Sequence, residues 1–250
     1  MSGSRRTRVG QEVSERSVSR RGHAPWPALT IAVVRIVDLT RPIQPGMQVY
    51  PGDSRPTATM VASVAADGFE VHRLTLGSQS GTHLDAPSHT VANSGASESV
   101  SLRRLLGRGV IVDVTAAHPE SEIHPGPWLS SIEPGDLVLF RADWDRFDGA
   151  ETAWLHPWLS ERCAAALVAV KVAAIGLDFA SPDRHLAPLT GHHIFAEAGI
   201  PVIENLAHLA DIDWPTPTII ALPLSWPGLD GLPVRAIACD LPLPTTRPPD

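Results

Sequence analysis

A chain of 250 residues with 43% hydrophobic residues can build its core without staples, and its two cysteines, Cys163 and Cys239, form no C-x-x-C pair. That excludes a disulfide framework and a structural zinc knuckle, suits a reducing cytosol, and leaves each cysteine as a small buried apolar residue. The formal net charge of −7 makes the body a poor nucleic-acid surface, because phosphates are repelled rather than neutralised.

Residues 1–24 carry six arginines against two glutamates, so the acidic balance lies in the rest of the chain. Composition predicts a disordered basic leader over 1–29, one domain over 30–241 and a proline-rich tail over 242–250. Arg20-Arg21 ahead of the apolar stretch Pro25 to Val34 imitates an export signal. Arg35 interrupts that stretch, however, and no small-x-small cleavage site follows. No run reaches the roughly 18 apolar residues of a membrane span. The expectation is a soluble cytoplasmic protein with no membrane or nucleic-acid partner.

Arg35 to Leu39 reads as a first strand, followed by a turn-rich loop through Pro42, Pro45, Gly46, Pro51 and Gly52. Thr57 to Val64 and Phe69 to Leu76 have the branched, half-alternating pattern of strands. Gly109 to Val114 and Asp136 to Phe140 are short apolar runs typical of buried strands. Ser160 to Val170 reads as a helix capped by Ser160, with Cys163, Leu167 and Val170 on one face. Ala173 to Asp178 is another buried strand. Thr190 to Ala198 follows as a helix, with Thr190 as possible N-cap and Gly199 as its stop. Pro201 to Glu204, Thr218 to Leu222 and Val234 to Cys239 complete the strands. Helices interleaved with a majority of strands predict a single α/β domain with a mixed sheet.

The chemistry concentrates in Gln79-Ser80-Gly81-Thr82-His83-Leu84-Asp85-Ala86-Pro87-Ser88-His89. On an extended segment residues two apart share a face, so His83 and Asp85 can approach one ion together. Imidazole nitrogen and carboxylate oxygen are donors that borderline divalent metals such as zinc accept. Gly81 lets backbone come close, and Pro87 stiffens the exit towards His89. A lone histidine is more often a surface or satisfied buried residue than a ligand; the dense grouping reverses that expectation. Gly77 to Gly81 is no nucleophile elbow, since Gln79 occupies the serine position of G-x-S-x-G. Asp178 and Asp183, near a strand end, read at least as well as capping or solvated residues. The tryptophans 128, 144, 154, 158, 214 and 226 read as core or subunit-contact residues rather than a substrate cage.

This run resembles the signature H-x-G-T-H-x-D-A-P-x-H of the cyclase-like metal hydrolases, the family of bacterial kynurenine formamidase. Asp38-Leu39-Thr40, Pro45-Gly46 and Tyr50-Pro51-Gly52-Asp53 resemble the family's opening. Ile175-Gly176-Leu177-Asp178 and His192 to Leu206 resemble its second half, so the likeness spans roughly residues 35–240. It implies a swivelling β/β/α fold and one or two divalent ions per chain, zinc or manganese, in a cleft. By motif position it implies His83 and Asp85 as ligands, with Asp85 bridging. His192 and Glu204 complete the set, His192 rather than His193 because of its spacing to Glu204. His89 falls on the family's general acid/base and Tyr50 on an aromatic that lines the substrate pocket.

Gln79 departs from the signature, which has histidine there. A glutamine oxygen is a neutral, harder and weaker donor, which makes manganese more competitive with zinc. The implied activity is hydrolysis of a carbon–nitrogen bond in an amide, formamide or cyclic amide by a homodimer or higher homo-oligomer. Two rival expectations stand beside it. One is a metal-dependent cyclase, dehydratase or lactone hydrolase acting on a secondary metabolite. The other is a metal-stabilised binding protein without turnover.

Overall fold

Strand alternation divides this chain's apolar residues between two cores. In the computed structural model, which describes residues 34–241, strand β7 (Leu137–Arg141) sends Val138 and Phe140 to one core and Leu137 and Leu139 to the other. Successive side chains on a strand point to opposite faces, so a strand covered on both sides reads as an unbroken apolar run. The described residues all fall within one compact unit. The expected leader and tail lie outside them.

In chain order the elements are β1 (Ile36–Asp38), β2 (Thr57–Ala62), α1 (Val64–Asp67), β3 (Val71–Thr75), β4 (His83–Asp85), β5 (Leu106–Asp113), β6 (Glu122–Ile123), β7, β8 (Trp158–Leu159), α2 (Glu161–Val170), β9 (Ala174–Leu177), α3 (Thr190–Glu197), β10 (Val202–Glu204), β11 (Thr218–Pro223) and β12 (Gly231–Cys239). Single 3-10 turns punctuate the connections, among them Pro87–His89. The mixed α/β sheet expected from the sequence is present, in the order β1-β12-β11-β5-β7-β9-β10-β4. Strand β4 also pairs with β12, which the sequence did not foretell, and this second pairing curls the sheet into a barrel-like closure.

The β5–β7, β7–β9 and β9–β10 pairings are parallel and the others in this sheet antiparallel. Helices α2 and α3 pack on the outside, where Cys163, Leu167 and Phe195 bury against Val138, Phe140, Ile175 and Val202. Leu84, Ile203, Ile219 and Val234 belong to the second core.

Helix α2 starts as expected: the Ser160 hydroxyl accepts from the Cys163 amide at 3.2 Å. Helix α3 starts differently. Thr190 is not its cap; the position before the helix is Leu189, which makes no side-chain capping bond. Asp183 reaches in from the preceding loop instead, accepting from the Gly191 amide at 2.6 Å and the His192 amide at 3.1 Å. Gly199, in the left-handed region at φ 64°, stops the helix as expected. Among the described residues no helix is long and apolar enough to cross a membrane.

Candidate metal centre

Strand β4 lies between β10 and β12, and its register sets Glu204 directly across from His83. Leu84 and Ile203 turn into the second core, so His83, Asp85 and Glu204 face the other way, towards His192 on α3. All four of these polar residues are buried. The sequence-predicted pair on β4 is thereby joined to two residues more than a hundred positions away.

The spacing within the cluster is regular. His83 Nε2 lies 3.5 Å from Asp85 Oδ1 and 3.4 Å from Glu204 Oε2. His192 Nε2 lies 3.3 Å from Asp85 Oδ2 and 3.2 Å from Glu204 Oε1. Each carboxylate therefore spans both imidazoles. The back of each ring is engaged: His83 Nδ1 is 2.9 Å from the Gly81 carbonyl, and His192 Nδ1 is 2.7 Å from Asp183 Oδ2. Those acceptors hold the protons on Nδ1 and leave both Nε2 lone pairs aimed at the carboxylates. Both Asp85 oxygens and Glu204 Oε1 are buried without a hydrogen-bond partner. Buried acceptors facing one another demand a cation between them.

The electrostatics agree. Burial alone would lower the His83 pKa, but the Glu204 bond and the Asp85 charge push it up to about 9. His192 is raised well above its ordinary value, against its burial, by Asp183, Asp85 and Glu204. Burial would raise Glu204, yet the nearby His192 and His83 rings hold it below the usual carboxylate range. The cluster is a site for positive charge, and the donor set fits a divalent ion. Two three-residue groups bring their donor atoms within 4.8 Å of one another: His83, Asp85 and Glu204, and Asp85, His89 and His192. Asp85 belongs to both.

His89 sits one 3-10 turn past β4, half-buried, its ring 5.6 Å from that of His192. Its Nδ1 lies 3.1 Å from Asp230 Oδ2, and the same oxygen accepts from Gln79 Nε2 at 2.9 Å. Asp230 thus takes a hydrogen from each neighbour and leaves His89 Nε2 free to accept a proton. The Gln79 amide oxygen is buried and unpartnered. Gln79 fits here because residue 231 is glycine: a Cβ there would come within 2.6 Å of its amide nitrogen.

A cavity of about 290 Å³ opens onto this centre. Gln79, His83, His89, His192 and Glu204 line its floor, and Tyr50, Trp144, Trp154 and Phe179 are among its aromatic walls. Tyr50 lines this cavity and sits edge-on to Trp154 at 5.6 Å. Trp144 is buried in the first core, as expected, and also borders the cavity; Trp154 borders it too, a position the core or subunit-contact reading did not anticipate. His193 is exposed, and His192 is the one of the pair that enters the cluster.

Asp183 takes the capping role weighed for it and also grips His192. Two further residues escape the sequence reading. Asp230 lies 141 positions from His89 and no local pattern signals it. Arg41 is buried in the pocket wall, donating to the Asp178 carbonyl at 2.8 Å and to Asp148 at 3.2 Å.

The family model for putative cyclases matches residues 37–184. The chain belongs to the cyclase family. It is 30% identical over 214 residues to a kynurenine formamidase from Erythrobacter litoralis, covering 83% of this chain and 95% of that enzyme. A kynurenine formamidase from Polaromonas naphthalenivorans is also 30% identical, over 88% of this chain and 97% of its own length. Among solved structures, a potential metal-dependent hydrolase with cyclase activity superposes with a TM-score of 0.70 at 25% identity, covering 84% of this chain and all of that one. An isatin hydrolase bound to the product analogue thioisatinate shares the fold, with a TM-score of 0.74 at 24% identity over 82% and 92% of the two chains. This cyclase-family chain is an enzyme, a metal-dependent amide hydrolase that uses a divalent ion.

Proposed function

We propose that this cyclase-family chain hydrolyses the carbon–nitrogen bond of an aryl formamide or a related cyclic amide, the kind of activity for which its kynurenine formamidase relatives are named. The observation that carries the reading is Asp85, whose two oxygens are buried and unpartnered, one facing the His83 ring and the other the His192 ring. His83, Asp85, His192 and Glu204 would hold the divalent metal, with Asp85 facing both imidazoles and the unpartnered oxygen of Gln79 as a further candidate donor. Zinc suits the imidazoles, and the glutamine oxygen makes manganese a competitive occupant.

When bound, the divalent ions supply Lewis acidity towards the substrate carbonyl oxygen and the attacking water. The protein's own groups do the rest. His89 accepts the water proton at Nε2 and returns it to the leaving nitrogen, a general base that becomes a general acid. Asp230 holds the His89 ring in the tautomer this requires. Tyr50, Trp144, Trp154 and Phe179 pack the aryl group and exclude water, which strengthens each electrostatic contact at the reacting carbonyl. The enzyme acts on a small molecule, as a cytoplasmic homo-oligomer. Its two free, buried cysteines support a reducing compartment.

A product screen in ¹⁸O-labelled water tests this reading, with formanilides, aryl lactams and lactones offered to the purified protein. Label in the released formate or opened carboxylate is the expected outcome. Product formed without label from water points to the rival cyclase or dehydratase chemistry. No turnover at all points to a binding protein.

A further inference from the structure

Arg41 follows β1 and is built into the cavity wall beside the metal cluster. Its backbone amide donates to the Thr82 hydroxyl at 2.8 Å, and that hydroxyl donates to the Asn205 carbonyl at 2.6 Å. The residue is thus tied to the immediate neighbours of His83 and Glu204. Its side chain lines the same cavity as those two, yet is only 9% exposed. A guanidinium held this far from water needs acceptors for its five N–H donors. Among the described residues it has two, the Asp178 carbonyl at 2.8 Å and one oxygen of Asp148 at 3.2 Å. Its Nε is buried with no partner. Burial lowers the Arg41 pKa, against the pull of the Asp148 charge.

The carboxylates near enough to neutralise Arg41 are either committed elsewhere or loosely held. Asp178 spends its carboxylate on the amides of Ala142 and Asp143 and gives Arg41 only its carbonyl. The Asp148 side chain is 44% exposed and precedes Gly149, whose φ of 81° marks a tight turn in an exposed stretch. A single contact from a half-exposed carboxylate is the weak form of a pair that arginine makes best as a two-point fork. The turn does not depend on that contact, because the Gln48 side chain holds the Gly149 amide and the Ala150 carbonyl at 3.1 Å each.

We propose that Arg41 is the anion seat of the substrate: it pairs with a carboxylate carried on the aryl part of the amide, and Asp148 is an internal stand-in that this carboxylate displaces. The aryl ring then lies along Trp144 and Phe179, which line the cavity between Arg41 and the metal cluster. The exchange sets specificity. A neutral substrate leaves the Arg41–Asp148 pair as it is, whereas an anionic one replaces a one-point contact by a fork and releases Asp148 to water. The nature of the substrate rests on the aryl-amide reading above; the seat rests on the contacts of Arg41 itself.

Calorimetry on the metal-loaded protein tests the seat with two product-like probes, 3-aminobenzoate and aniline, which differ only by the carboxylate. The wild-type chain is expected to bind 3-aminobenzoate at least about 10-fold more tightly, the low end of what a charge-assisted pair contributes. Arg41→Gln should bring the two affinities close to equal with metal content retained. Arg41→Lys, which keeps the charge but not the fork, should restore only part of the preference. Asp148→Asn should increase the preference, because the internal competitor is weakened; a residue needed only to shape the wall would not. Equal affinities in the wild type overturn the proposal. A carboxylate preference that survives in Arg41→Gln also overturns it, by placing the carboxylate on the metal, as does an Asp148→Asn preference at or below wild type. Turnover of 3-formamidobenzoate and formanilide separates the two readings. An Arg41-dependent binding preference with neither compound hydrolysed refutes the aryl-formamide reading and keeps the seat. Hydrolysis of both with equal kcat/KM refutes the seat alone.

Discussion

Asp183 holds His192 from behind, its Oδ2 2.7 Å from the ring's Nδ1 while its two oxygens also cap the start of α3. One carboxylate therefore fixes the helix, the ring orientation and the tautomer together. Removing such a support costs roughly 10–100-fold in metal affinity at comparable sites. Asp183→Ala should weaken metal binding by about that factor, measured by competition against a chromophoric chelator. Asp183→Asn, which keeps one acceptor oxygen, should lose less. Unchanged affinity in Asp183→Ala would reduce Asp183 to a helix cap.

Asp230 should matter for turnover rather than for metal. It accepts from His89 and Gln79 through one oxygen, and loss of that acceptor frees the His89 ring to turn. Asp230→Ala should lower kcat about 10²-fold, at the low end of what a positioned acid–base group contributes, with metal content and KM little altered. A fall in KM-limited binding with kcat preserved would move Asp230 from positioning the proton shuttle to shaping the pocket.

Gln79 is where this chain leaves its family's signature. If its buried, unpartnered oxygen completes the first site, Gln79→His should tighten metal binding and shift selectivity from manganese towards zinc. Activity need not follow, because a ring at this position must also share Asp230 with His89. Gln79→Ala should lower occupancy of one site and leave the other filled. Identical metal stoichiometry and affinity in all three proteins would exclude Gln79 as a ligand.

Cys163 is fully buried, and burial pushes its thiol up to about 12. An ordinary thiol near 8.5 ionises as the chain unfolds, so the native state keeps a proton that the unfolded state releases. The stability Cys163 gains from staying neutral is complete below about 8.5 and is lost as pH rises towards about 12. At pH 8 Cys163 should be inert to Ellman's reagent in the native protein and should react on unfolding in urea. Prompt reaction of Cys163 in the folded state would contradict its packing.

How legible each part was in the sequence follows from how local its cause is. His83 and Asp85 were readable because a three-residue strand sets both on one face, and Ser160 because a cap acts within its own turn. Thr190 misled because the bond that caps α3 comes from Asp183, outside the helix. The β4–β12 pairing joins segments about 150 residues apart, and an unbroken apolar strand carries no mark of its neighbour. Asp230 was hidden for the same reason. The alternation of β2 and β3 was visible in Thr57 to Leu76, but that these strands face solvent is a property of packing, which periodicity does not encode.

Hydrolysis should depend on metal held by the buried cluster around Asp85. The most direct measurement is formanilide turnover and metal content of the same preparation, before and after exhaustive chelation and after readdition of zinc or manganese. Activity should vanish with the metal, return with either ion, and fail to return in Asp85→Ala. Undiminished turnover in a preparation free of metal would show that the buried cluster does not drive hydrolysis.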